Sequence, residues 1–297
     1  MSKPILALIP SGYAEDKVYS ILPNNGDGDF DFTRASKGTR IRKDGLLEEI
    51  GDGVNDMPRL DWYDSNCPSL LLEPQRTNIQ LRSEEFDNAV WGKINASVNA
   101  NQIVAPNGEL SADKLNATAS STSTYVYEQH SLSTSTDYSM SVFIKKGTSN
   151  LVRFDLFDFT SGTQGRLDWN FDTETISNTV GTASFDDYGN GWYRLKVSFT
   201  TSATLGIHYL RIFEFSTTNG ATLYLWGAQL EQGNSCTSYI KTEGSQQTRN
   251  ADVCSVTTPS GVSTITETFS DDTTNVITTI PSTYTISEGR IKKVIME

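Results

Sequence analysis

Two-residue alternation is the feature that most limits what this chain can fold into. In "DYSMSVFIKKG", Tyr138, Met140, Val142 and Ile144 fall on one side, with Ser139 and Ser141 on the other. In "GWYRLKVSFT", Tyr193, Leu195, Val197 and Phe199 share a side, opposite Trp192, Arg194, Lys196 and Ser198. In "GRLDWNFD", Leu167, Trp169 and Phe171 alternate with Arg166, Asp168 and Asn170. A period of two belongs to a strand with one dry face. The turn signals "PNG", "KKGT", "DYGNG" and "TTNG" recur between such runs, as in antiparallel sandwiches. The spacing predicts a mainly β chain with a jelly-roll sandwich over 86–250.

The flanks read differently. Residues 1–85 show no core of their own and are read as an extended attachment segment. Residues 251–297 hold eleven threonines between Thr257 and Thr285 and are read as a small β segment, too short to bury a core alone. Each is expected to gain burial between chains, in a homo-oligomer with a trimer preferred over a dimer. The segment "CPSLLLEPQRTN", Cys67 to Asn78, is read as a buried connector into the sandwich, bounded by its two prolines.

Composition narrows the function. Hydrophobic residues make up 36% and aromatics 10% of 297 residues, enough for a packed core. The net charge of −12 argues against nucleic acid as a partner, since phosphate needs a basic face. The apolar run Ile5 to Ile9 ends at Pro10 and is too short for a signal-peptide core or a membrane span, so synthesis in a cytoplasm without membrane insertion is expected. Cys67, Cys236 and Cys254 lie far apart and suggest neither a zinc site nor a disulfide scaffold.

Few residues carry the signature of a catalytic or metal site. His130 and His208 sit on separate expected strands, and no nucleophile elbow, zinc-protease motif or phosphate loop is present. Asp155, Asp158, Asp168, Asp186, Asp187 and Glu231 offer too many carboxylate pairs to select one for glycoside cleavage. No catalytic residue, metal site or cofactor is assigned. In "NNGDGDFDF", Asn25, Asp27, Asp29 and Asp31 mimic a calcium loop, but Phe30 and Ser36 occupy the required Gly and Glu positions. A strand with Phe30 and Phe32 inward fits better. Arg34, Lys37, Arg40, Arg42 and Lys43 form a run without an acid, read either as a docking patch or as a solvated strand face. Trp169 and Trp226 read as core. Trp192, on the face of Arg194 and Lys196, is the candidate platform for a sugar ring, against burial under a loop or at a subunit contact.

Five blocks together resemble a known family: "FTRASKGTRIRKDGLLEEI", "CPSLLLEPQRTN", "SEEFDNAVW", "GWYRLKVSFT" and "LWGAQLEQGNSCTSYIKT". In that order they look like the head spike fibre domain proteins of phages, which carry a jelly roll similar to carbohydrate-binding modules. The resemblance implies a virion structural protein without enzymatic activity, on a head or a tail. Its implied partners are further copies of itself, phage capsid or tail proteins, and host-surface glycans. The alternatives are an accessory carbohydrate-binding module of a secreted system and, further off, a glycan depolymerase.

Overall fold

The computed structural model describes residues 4–20, 28–51, 56–63 and 67–297. All regular structure among them is β, in two units: residues 1–76 with 248–297, and residues 77–247.

The 77–247 unit is a sandwich of two six-stranded sheets. The first runs Gly92–Ile94, Thr124–His130, His208–Glu214, Leu151–Asp158, Gly162–Asn170, Thr175–Val180. The second runs Ala96–Val104, Leu110–Ala117, Thr222–Gln232, Asp137–Lys146, Trp192–Thr200, Thr182–Asp187. Every pairing is antiparallel, and the chain passes repeatedly between the sheets, as in a jelly roll. The alternation read from sequence falls where expected: Met140, Val142, Ile144, Leu167, Trp169, Leu195 and Val197 are buried in the core between the sheets. The boundaries are 77 and 247, where 86 and 250 were expected.

One break in register re-aims a large side chain. Between Asp137–Lys146 and Thr222–Gln232 the pairing slips between Ser141 and Phe143, and Gly227 has φ 61°. Leu223 and Leu225 face the core before the bulge, Ala228 and Leu230 after it. Trp226 is buried as expected, but on the opposite face from Leu230, against Phe143 and Tyr239. Period two does not carry across an inserted residue.

The other unit corrects the reading of the flanks. Leu6, Leu8, Phe30, Phe32, Leu70 and Leu72 from the first segment pack with Cys254, Val256, Ile265, Ile291, Val294 and Met296 from the last. Neither segment has a core alone; they share one within the chain, so the burial argument for an oligomer no longer rests on them. Phe30 and Phe32 point inward and Asp31 outward, as expected; Asn25 and Asp27 lie outside the described residues. Ser69–Leu72 is no connector. It is an interior strand between Gly289–Met296 and Leu60–Asp61, with all four residues buried. A strand covered on both sides reads as an unbroken apolar run, which is why "SLLL" does not alternate.

Candidate functional site

Trp192, Arg194 and Lys196 do not form an exposed site. Trp192 is only 3% exposed, and its indole Nε1 donates to the Val104 carbonyl at 3.1 Å. Arg194 is equally buried. Its guanidinium donates to Ser141 Oγ at 2.9 Å and to the Thr237 carbonyl at 2.8 Å, and lies over the Phe143 ring. Lys196 Nζ pairs with Asp186 at 2.6 Å. The outer face of the second sheet is therefore covered by the chain after Gln232. That cover is pinned by Glu231, which accepts from Thr237 N at 2.7 Å, and by Gln229, which accepts from Ile240 N at 2.7 Å. Alternation separates the two faces of a strand; it does not say whether a later segment lies across one of them.

In the basic run Lys37, Arg42 and Lys43 are exposed and Arg40 is half-buried, while Arg34 turns inward. Arg34 is buried and pairs with Asp252; Lys37 pairs with Glu49, Arg40 with Glu48, and Arg42 with Asp44. Lys43 Nζ lies 5.3 Å from the Trp62 ring centroid. The run holds no acid, but the second strand of its hairpin, Leu47–Ile50, supplies Glu48 and Glu49 across the register. The positive patch is largely neutralised within its own chain. Arg34, Arg59 and Arg249 converge on the buried carboxylate of Asp252, and Glu73 accepts from Arg59 Nη1 at 2.8 Å. Burial first, then the neighbouring Arg59, lowers the Arg34 guanidinium below its ordinary value.

The face that does present chemistry is the outer side of the first sheet. Its inward positions, Val126, Leu210, Ile212, Val152, Phe154, Leu156, Leu167 and Trp169, belong to the core. The alternate positions point the other way and line up in rows across the strands. One row reads Tyr125, Phe213, Arg153, Asp168; the next reads Tyr127, Arg211, Asp155, Arg166. A third places Gln129, Tyr209, Phe157 and Thr163 side by side.

These rows are pre-arranged by their own contacts. The Arg211 guanidinium donates to both oxygens of Asp155, at 2.8 and 2.9 Å, and sits 4.3 Å from the Phe157 centroid and 5.0 Å from that of Phe213. Arg166 Nη2 donates to Asp155 at 3.1 Å. Arg153 grips Asp168 through two bonds of 2.7 and 2.8 Å while lying 4.2 Å from the Phe215 centroid. Paired forks of this kind hold planar groups at fixed angles. Tyr127 stacks on Tyr209 at 4.3 Å, and Phe159, 61% exposed, stands edge-on to Tyr209 at 4.8 Å. Gly92 makes room: a Cβ there would lie 2.3 Å from the Tyr127 ring. Burial, aided by Tyr209, pushes the Tyr127 phenol above its ordinary value, so it remains a donor well into alkaline pH.

This platform was legible. "TYVYEQH" puts Tyr125 and Tyr127 opposite Val126, and "HYLRIFE" puts Tyr209, Arg211 and Phe213 opposite Leu210 and Ile212. Neither strand contains a tryptophan.

The two histidines are register neighbours, His130 against His208. Both are buried, with His208 Nε2 3.4 Å from Asp158 and His130 Nε2 3.2 Å from Gln80 Oε1. Burial lowers His130 to about 4, and raises nearby Glu128 to about 7. Asp158 is saturated by donors from Thr160, Ser161 and Gly206. Among the described residues no group of three or more His, Cys, Asp or Glu side chains is arranged to hold a metal ion.

No family model matches the chain, and no curated protein does. Among solved structures, it is similar to the enzymatically active domain of tailspike protein 4 of bacteriophage CBA120, at 8% identity and a TM-score of 0.34, over 52% of this chain and 21% of that one. The family 11 carbohydrate-binding module of Clostridium thermocellum, in complex with a mixed-linked tetrasaccharide, matches at 12% identity and a TM-score of 0.30, over 58% of this chain and 99% of the module. The CBM22-1 xylan-binding domain of Paenibacillus barcinonensis Xyn10C matches at 12% and 0.34, over 54% and 94%. All three are distant likenesses. The class of the 77–247 unit, a jelly-roll sandwich with an aromatic and arginine-rich outer face, is defined by its own strand pairing.

Proposed function

We propose that the chain is a non-enzymatic fibre or spike component of a virion that adheres to host-surface glycans through the outer face of its first sheet. The observation that carries the glycan half is the arrangement of Tyr127, Tyr209 and Phe159 beside the Arg211–Asp155–Arg166 group. Sugar rings stack on flat apolar surfaces, and their hydroxyls need fixed donors and acceptors at the edge. The rows supply both, already held in place. The virion half is supported by the resemblance of the five sequence blocks.

A stacked aromatic adds on the order of 1 kcal/mol beyond area burial. A single platform therefore binds in the millimolar to high-micromolar range, roughly −4 to −6 kcal/mol. Many copies on one particle raise avidity without any new contact, and light scattering on the purified chain measures the number per fibre. The test compares wild type with the Tyr127→Ala, Tyr209→Ala double variant, displayed on beads, for binding to host cells. Loss of binding with unchanged thermal unfolding supports the reading; full binding by the double variant removes this face from it. Detection of the chain in purified virions tests the other half.

A further inference from the structure

The platform does not end at its last aromatic row. Resting on the glycan-binding reading above, we propose that the glycan continues into a pocket at one end of the first sheet, which takes an uncharged, hydroxyl-rich sugar residue. The pocket has a volume of about 410 Å3 and is walled by Thr148, Asn150, Leu151, Ser216, Thr218 and Asn219, closed by the Gly220–Ala221 turn. No ionisable side chain lines it.

Its position is set by the same strand that carries the platform. Leu151 shares the outward column of Arg153, Asp155 and Phe157, and its carbonyl accepts from Phe215 N at 3.1 Å. The Phe215 ring lies against the Arg153 guanidinium. From Leu151 to Phe157 the strand advances about 20 Å, so one extended oligosaccharide reaches from the pocket to the exposed aromatics.

Hydrogen bonds tie the base of the pocket, and its free groups suit hydroxyls. Thr148 and Thr222 bond reciprocally, Thr148 N to Thr222 Oγ1 at 3.0 Å and Thr222 N to Thr148 Oγ1 at 2.9 Å. Gly147 permits that approach, since a Cβ there would lie 2.4 Å from the Thr222 carbonyl. Ala221 N donates to Thr218 O, and Gly220 N to Ala117 O, each at 3.0 Å. Ser216 Oγ is buried without a hydrogen-bond partner among the described residues. The Asn150 and Asn219 carboxamides are likewise unengaged among them. The two exposed amides offer donors and acceptors in pairs, matching sugar hydroxyls that are both. A carboxylate placed there would lose water without gaining a cation.

The experiment uses the full chain, displayed on beads, against immobilised cellohexaose, xylohexaose, maltohexaose, their disaccharides, and tetragalacturonate. Wild type is compared with Asn150→Ala, Asn219→Ala and with Tyr127→Ala, Tyr209→Ala. The expected result is binding to a neutral hexasaccharide, weakened about 10-fold by the asparagine pair, with the disaccharide and the unfolding temperature unaffected. Wild-type hexasaccharide binding by the asparagine pair, where the tyrosine pair has lost it, overturns the pocket and leaves the platform standing. Preference for tetragalacturonate over every neutral probe overturns the uncharged class. Failure of wild type on all probes, with host cells still bound through the tyrosines, overturns the pocket for neutral sugars; failure on cells as well removes the platform too.

Discussion

Trp192 is a residue whose chemistry is plain and whose setting decides its role. Buried to 3% exposure, it contributes packing and one bond to Val104. Trp192→Ala is expected to lower stability by about 3–5 kcal/mol, the usual cost of emptying a large buried site; chemical denaturation measures it, and a change below about 1 kcal/mol would place the ring at the surface. Glu128 is a second such case. Burial raises its carboxyl to about 7, so the folded state favours the neutral form. Its contribution to stability is full below the ordinary value of 4.5 and lost as pH rises to about 7. His130, lowered to about 4 and 4.0 Å away, works in the opposite sense, losing stability as pH falls below 6.5. Glu128→Gln keeps an acceptor for Leu81 N and cannot ionise. It is expected to exceed wild type by on the order of 2 kcal/mol at pH 8 and to match it at pH 4.5. Urea unfolding at both pH values checks this; equal gaps at the two would refute it.

At the scale of the element, two glycines decide what a strand face displays. Gly227 lets the Thr222–Gln232 strand bulge, which keeps leucines inward on both sides of the break while Trp226 turns to Phe143 and Tyr239. Gly92 lies beneath the Tyr127 ring on the edge strand of the first sheet. Gly92→Val would push that ring off Tyr209 and is expected to weaken cell or glycan binding at least 5-fold, with a loss of stability under about 2 kcal/mol because the site is a sheet edge. Binding assays paired with thermal unfolding separate the two effects, and undiminished binding would mean that the Tyr127–Tyr209 stack is not used.

At the scale of the whole chain, the 77–247 unit has its own core and both its sheets, so it is expected to fold alone with a cooperative transition. The other unit depends on two segments far apart in sequence, and Asp252 ties them. It accepts from Arg34 and Arg59 of the first segment and from Arg249 of the second, as well as from Glu73 N at 2.9 Å. Asp252→Asn leaves three buried guanidinia with only the Glu73 carboxylate, which reaches Arg59 and Arg249, to balance them. A loss of about 3–5 kcal/mol is expected in that unit, with the transition of the 77–247 unit unmoved. Calorimetry on wild type, the variant and isolated 77–247 distinguishes these, and a single transition shifted as a whole would show that the units do not unfold separately.

Local pattern determined what local pattern can. Period-two alternation, turn chemistry and β-branched residues were enough for an all-β chain with a sandwich at its centre, and for Trp169, Phe30 and Phe32 facing inward. Tyr125, Tyr127, Tyr209 and Arg211 were also readable as one-sided, since each alternates with a core residue on its own strand. What tertiary structure alone decided was which faces stay uncovered and which distant charges meet. Trp192 and Arg194 look like Tyr209 and Arg211 in sequence, each an aromatic two residues before an arginine. The first two are buried, Arg194 against Thr237 and Trp192 against Val104, while Tyr209 and Arg211 stay half-exposed. Arg34 and Asp252 are 218 positions apart. Burial and ion pairing depend on what the fold brings within a few ångströms, and that distance is not a function of separation along the chain.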